Sequence, residues 1–337
     1  MHALAVAEKH SWYNGFIRET PELYGKSGTM RLKPTNDFLF QKLFGEEEAK
    51  DILTSFLNAI LHLPDHRKIT DIRVIANTQL NKELLTSKGG RLDILAETEN
   101  RELINVEMQL TNYRDMVRRT LFYSSRLFHG SIRTGEDFKE LKRTITINIM
   151  DFNLDELSGI SDFHSTFHFY ETILREVRLT DAVELHFIEL PKFRKAAKDL
   201  SEPLHRWLLF LEEKPPENEL EAMMEMDEMI RKAEERLEYL SADEETIRLY
   251  EWRENARIEW NSWVNEARRQ GLEQGIQEGI QQGIQQGIEL GKEQGIQQGA
   301  RQREREIVLS MLRKGLDPAF IAEVTGLSMN EISEIQE

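Results

Sequence analysis

Residues 91–109 read RLDILAETENRELINVEMQ, two alternating runs that each set a carboxylate among apolar residues, with a glutamine two places after the second. Side chains two apart on a strand share a face. Asp93 therefore lies with Arg91 and Leu95, and Glu107 with Leu103, Asn105 and Gln109, while Ile104, Val106, Met108 and Leu110 turn the other way. A turn within Glu97–Arg101 that pairs Thr98 with Glu102 sets Asp93 opposite Glu107, and a slip of one residue would send them to opposite faces. Two carboxylates opposed at about 5 Å repel each other unless a counterion neutralises them. All-oxygen ligation suits Mg²⁺ or Mn²⁺. A metal held there lowers the pKa of a bound water and stabilises charge building on a phosphoryl oxygen, the two requirements of phosphodiester hydrolysis. Gln109, one side chain along, is placed to orient that water or a phosphate. The same spacing also describes the wet face of an amphipathic hairpin in which Asp93 is incidental.

The elements that must position these residues follow from periodicity. MRLKPTNDFLF, from Met30, reads as the start of the folded unit, and residues 1–29 as an N-terminal extension. Thr35 or Asn36 caps a first helix carrying Phe38, Phe40, Leu43 and Phe44 and ending at Gly45; a second helix over about 47–62 presents Ile52, Leu53, Phe56, Leu57 and Ile60. The period then changes to two, with strands expected at 70–80, 91–96 and 102–110, a helix near 112–129, and strands at 143–150, 167–174 and 183–190. RTITINIM at 143–150 is apolar or β-branched nearly throughout, as a strand covered on both faces should be. The order predicts one α/β domain over 30–200, a mixed sheet flanked by helices.

After 200 every signal is helical. Residues 201–268 form an acidic helical region, with amphipathic helices at 201–213 and 218–240 separated by Lys214-Pro215-Pro216 and a continuation at 243–268 bearing Trp252, Trp260 and Trp263. From 269 to 301 glycine recurs every fourth residue, mostly followed by isoleucine. A period of four advances about 40° per repeat on an α-helix, so the isoleucines spiral and stay buried only in a right-handed supercoil. Each glycine costs roughly 1 kcal/mol of helix propensity, which leaves a self-associating helix or a flexible spacer as the two readings. Residues 302–337 predict a small helical module: a helix ending at Gly315, a second starting at Asp317-Pro318, and a third capped by Ser328 with Glu331. Its basic residues are too few for a DNA-reading helix-turn-helix.

Composition bounds the chemistry. The 337 residues carry a net charge of −16 and no cysteine, which excludes disulfides, thiolate catalysis and cysteine-ligated metal. No run approaches the roughly 20 apolar residues of a membrane span, and the apolar part of MHALAVAEKH is too short for a signal peptide; a cytoplasmic protein is expected. The acid is concentrated in the C-terminal third. Residues 101–150 carry nine Lys and Arg against six Asp and Glu, so Arg114, Arg118, Arg119 and Arg126 form either a face for DNA phosphates or a solvated helix surface.

Asp93 followed by Glu107-Met108-Gln109 resembles the PD-(D/E)XK nuclease signature. The wider set, PTNDFLFQKLFG at 34–45, GGRLDILA at 89–96, INVEMQ at 104–109, RDMVRRTLFYSSRL at 114–127 and the GIQQG tail, resembles the Rpn family of recombination-promoting nucleases and transposases. The resemblance covers about 30–337 and implies a restriction-endonuclease-like core with Mg²⁺-dependent DNA cleavage, associated with recombination, mobile elements or phage defence. It implies Asp93 and Glu107 as metal ligands and Gln109 where the superfamily usually has lysine. A glutamine brings only a dipole, so positive charge must come from metal or from a neighbour such as Lys42 or Arg118. Asp37 is a candidate third acid, with a rival role at its helix N-terminus. A catalytically weak or inactive DNA-binding accessory protein, and a scaffold self-associating through the C-terminal helices as a homo-oligomer, are the alternatives.

Overall fold

The Asn36 side chain decides where the first helix begins. Its Oδ1 accepts from the backbone N–H groups of Phe38 (3.1 Å) and Leu39 (3.2 Å), satisfying two donors that the first turn leaves orphaned. The helix α1 (Asp37–Phe44) stops at Gly45, where a Cβ would lie 2.8 Å from the Gln41 carbonyl oxygen and 3.2 Å from Ile94; the close approach of chain and strand requires glycine there. Helix α2 (Lys50–Leu61) follows and turns out through His62, at φ 47°. The computed structural model describes residues 31–75 and 93–336. The expected extension 1–29, residues 76–80 of the first expected strand, and Arg91 with the GG of GGRLDILA lie outside the described residues.

The six strands β1 (Ile72–Val74), β2 (Ile94–Thr98), β3 (Leu103–Gln109), β4 (Thr144–Met150), β5 (His164–Tyr170) and β6 (Arg178–Glu189) form one sheet in the order β1-β2-β3-β4-β6-β5. Pairings β3–β4 and β4–β6 are parallel and the others antiparallel. The connection between parallel β3 and β4 carries helix α3 (Met116–Gly130), as a crossover between parallel strands must. The short helix α4 (Leu190–Lys195) ends β6.

The two sheet faces differ in chemistry. Ile94, Ala96, Ile104, Val106, Met108, Ile145, Ile147, Ile149 and Ile188 join α1 and α2 in the main apolar core. That core does not stop at 200. Helices α5 (Pro203–Phe210), α6 (Glu217–Met226) and α7 (Glu228–Ala242) contribute Trp207, Met223, Ile230 and Leu237 to it, and the fully buried Trp207 ring sits 5.3 Å from Phe56 and 5.8 Å from Phe44. The domain expected to end at 200 therefore needs the helices after it to complete its core by packing against α1 and α2: the first compact unit ends at Ala256 and the second is Arg257–Glu337.

Three local expectations shift for identifiable reasons. The helix expected over 218–240 breaks at Asp227, whose extended backbone lets Oδ1 cap Met229 N–H (3.0 Å) while Oδ2 accepts from Arg206 (3.1 Å). The strand expected at 167–174 ends at Tyr170 because the Glu171 carboxylate accepts from Ile173 N–H (2.7 Å) and Leu174 N–H, curling the chain into β6. Helix α3 starts late because Arg114 adopts φ 61°, its N–H donating to Asn112 Oδ1 (2.7 Å).

Helix α8 (Glu244–Arg313) runs through the glycine repeat without a break, so the repeat is helix rather than loop. Ile276, Ile280, Ile284 and Ile288 are exposed along it, and a Cβ at any of its eight repeat glycines would meet nothing within 4 Å. In the second unit Val308, Ile321 and Ile332 form a small core between the end of α8, α9 (Pro318–Thr325) and α10 (Met329–Gln336). Ser328 and Glu331 make the expected capping box, with bonds of 2.8 and 3.3 Å. Among the described residues no helix is long and apolar enough to cross a membrane.

Candidate active site

The β2–β3 hairpin adopts the register that the sequence predicts. Ile94 pairs with Val106 and Leu95 with Asn105, and Thr98 N–H donates to Glu102 C=O at 2.9 Å. Continued one residue, this register sets Asp93, just before β2, across from Glu107. A further bond fixes the acid: Met108 N–H donates to Asp93 Oδ2 at 2.8 Å.

The face carrying Glu107 is not the wet side of a hairpin. β4 places Thr146 beside Asn105 and Asn148 beside Glu107, and α3 lies above them, burying Met116, Thr120, Ser124 and Leu127. The helix stripe is polar at its centre because the sheet beneath it is polar. Thr120 Oγ1 donates to Asn148 Oδ1 (3.1 Å), and Asn148 Nδ2 donates to the His186 carbonyl (3.1 Å). Glu107, 3% exposed, accepts from Asn105 Nδ2 (3.2 Å) and Gln109 Nε2 (3.3 Å). Asn105 Oδ1, Thr146 Oγ1 and Ser124 Oγ are buried without a partner among the described residues. Unsatisfied buried polar atoms are uncommon, and three in one layer mark this layer as built for more than packing.

The electrostatics agree. Burial, and after it the Glu107 charge, pushes the Asp93 carboxyl well above the usual carboxylate range, against the Met108 N–H and the Arg119 cation. Burial pushes Glu107 up as well, against the Asn105 amide and Arg119. Neither acid has an ion pair to a cationic side chain among the described residues; Arg119 acts on both only through space.

The other candidates divide. Asp37 lies close enough to raise Asp93 further, but its oxygens are taken by Phe38 N–H (2.8 Å) and Arg253 (2.9 Å). Lys42 stands in the last turn of α1, paired with Glu46 at 2.8 Å. Arg114 and Arg118 are exposed, whereas Arg119 lines a small cleft with Glu107, Asn105, Thr120, Tyr123 and Asn148. Sequence reasoning gave Asn105 no more than a place on the face, and missed Asn148, Thr146 and Thr120. An asparagine and two threonines inside otherwise apolar RTITINIM and the α3 stripe were the available signal.

Among the described residues no three His, Asp or Glu side chains converge to hold a metal ion. The donor set nonetheless fits a hard divalent cation: Mg²⁺ keeps most of its waters and takes only one or two carboxylates, and Asp93, Glu107 and the orphaned Asn105 Oδ1 are oxygen donors lacking a cation.

A mixed sheet flanked by helices, with two facing acids at the hairpin, is the architecture of the restriction-endonuclease-like α/β fold. Residues 34–267 match the family model described as PD-(D/E)XK nuclease family transposase, and the chain belongs to that family. The matched region includes α5–α7, in keeping with a core that extends past 200. No curated protein and no solved structure matches the chain.

Proposed function

We propose that the protein is a metal-dependent DNA endonuclease with Asp93 and Glu107 as the metal ligands. One observation carries the reading: a half-buried Asp93 and a buried Glu107 held in facing register, both pushed toward protonation, with no cationic side chain paired to either among the described residues. When bound, Mg²⁺ or Mn²⁺ would supply the charge that activates a water and stabilises the phosphoryl oxygens. The chain's own residues set the geometry. Met108 N–H fixes the Asp93 carboxylate, Asn105 and Gln109 fix Glu107, and α3 shields the layer from bulk water. Gln109 can turn its amide from Glu107 to the attacking water or a phosphate oxygen. The exposed Arg114 and Arg118 are suited to DNA phosphates. Action on DNA in the cytoplasm, in transposition or recombination, is part of this reading and is supported by the family's description as a nuclease family transposase.

Purified protein should nick plasmid DNA in Mg²⁺ or Mn²⁺, and Asp93→Ala should lower that rate by about 10³-fold or more. Undiminished cleavage by Asp93→Ala would remove these acids from the mechanism. A second reading, a DNA-binding accessory protein without cleavage, is favoured by the engagement of the Gln109 amide with Glu107; it predicts metal-independent binding and no nicking by the wild type.

The exposed isoleucines and open glycines of α8 support self-association of two or more copies through that helix. Glycine every fourth residue makes such a helix marginal alone. Sedimentation of the full chain and of one ending at Ala256 should show a smaller assembly for the shorter chain.

A further inference from the structure

The proposed site has an unbalanced charge account. The half-buried Asp93 and the buried Glu107 carboxylates face each other, the substrate adds the anionic phosphodiester, and the place where the family's name spells lysine holds Gln109. A bound divalent cation offsets the two acids and leaves the charge developing on the phosphoryl oxygens without a protein cation.

One side chain is placed to supply it. Met116, Arg119, Thr120 and Tyr123, at helix spacing i, i+3, i+4 and i+7, share one face of α3 and line the cleft with Glu107, Asn105, Thr146 and Asn148. Lys42 is paired with Glu46, and Arg126 lies over the Phe122 ring, outside the cleft lining. Arg118, one residue from Arg119, is rotated about 100° around the helix and is exposed. The Arg119 guanidinium rests 5.5 Å from the centre of the Tyr123 ring and has no hydrogen bond or ion pair among the described residues. Its donors are therefore free, and its position is held by an aromatic face rather than by an acid that a substrate would have to displace.

We propose that Arg119 is a catalytic residue that supplies, from helix α3, the positive charge that Gln109 lacks, by binding the non-bridging oxygens of the scissile phosphate. The proposal rests on the nuclease reading above. In the hydrolysis, a water oxygen bonds to phosphorus as one phosphorus–ester oxygen bond breaks. The water gives a proton to solvent and the leaving oxygen takes one back, so Arg119 transfers no proton and acts by charge and fork geometry alone.

The test is single-turnover plasmid cleavage in Mn²⁺ with the full chain, read as rate at saturation and as half-saturating DNA. Arg119→Ala should lose about 10²–10³-fold in rate at saturation with half-saturation shifted less than about threefold. Free guanidinium ion, or Gln109→Lys added to Arg119→Ala, should recover at least about tenfold, which a structural role would not allow. Arg119→Lys, which keeps the charge and loses the fork, should fall between. Mn²⁺ alone, without DNA, should bind Arg119→Ala more tightly than wild type, because a cation beside the ligands has been removed. An Arg119→Ala protein that keeps its saturated rate and only needs more DNA would show that Arg119 merely holds the backbone, overturning the proposal while the nuclease reading stands. A wild-type protein inert in both metals would overturn that reading and this proposal together.

Discussion

Two buried polar clusters lie on opposite faces of the same sheet, and they are built on opposite principles. On the face shared with Ile145 and Ile147, Glu184 accepts from Arg143 (2.5 Å) and bonds His186 Nε2 (2.8 Å), whose Nδ1 meets His164 Nε2 at 2.9 Å. Every charge there has a partner. Burial opposes ionisation of Glu184, yet His186 and Arg143 bring its carboxyl down to about 2. On the face under α3, Glu107 is as deeply placed among amides and hydroxyls, Asp93 beside it is half-buried, and both are pushed up. A buried ionic network that serves the fold is compensated, because removing charges from water costs several kcal/mol per ion unless they are paired. A cluster left uncompensated fits a ligand that completes it.

The contrast can be broken most forcefully at Glu184. Glu184→Ala leaves His186 without its acid and Arg143 with Glu102 alone, and should destabilise the fold by about 3 kcal/mol, read as a fall in the urea midpoint with unchanged slope. Glu107→Gln, the matching charge removal on the other face, should abolish metal-dependent cleavage and raise stability by about 1 kcal/mol without metal, or about 2–4 °C in Tm. Thr120→Val, which strands Asn148 Oδ1, should cost about 1 kcal/mol and lower the cleavage rate only modestly.

The smallest effect is a pair of opposed slopes with pH. Asp93 and Glu107 are raised in the folded state, so the folded protein holds their protons longer than the unfolded chain. Their contribution is full below the ordinary carboxylate range and is lost as pH rises through the raised values. His164, lowered to about 4 by burial and then by the imidazoles of His186 and His62, acts in the other sense: stability is lost as pH falls from about 6.5 toward about 4. Urea midpoints of Asp93→Asn and His164→Gln across pH 4–8 should each flatten one of the two slopes.

The hairpin was legible because a short turn and strict alternation leave few registers, and the one that pairs Thr98 with Glu102 is the one formed. The caps at Asn36 and Ser328 were legible for a similar reason: the side chain that starts the helix is adjacent to it. What escaped depends on contacts distant in sequence. Trp207 extends the core because it meets Phe44 and Phe56, some 150 residues earlier. Which of Arg118 and Arg119 faces the acids depends on the rotational phase of α3, and Arg114 shifts that helix's start by entering the left-handed region. The partnered cluster was invisible because Glu184 and His186 sit in an alternating run, and only the placement of β6 between β4 and β5 brings Arg143 and His164 to them.

The central claim, that Asp93 and Glu107 form an uncompensated pair that a divalent cation completes, is tested most directly by melting wild type and Asp93→Asn at pH 7 in chelator and in Mn²⁺. The asparagine keeps an oxygen to accept from Met108 N–H and removes only the charge. The account predicts a higher Tm for the variant in chelator, and a rise on adding Mn²⁺ that the wild type shows and the variant loses. A variant that melts lower in chelator, or a wild type whose Tm ignores Mn²⁺, would contradict it.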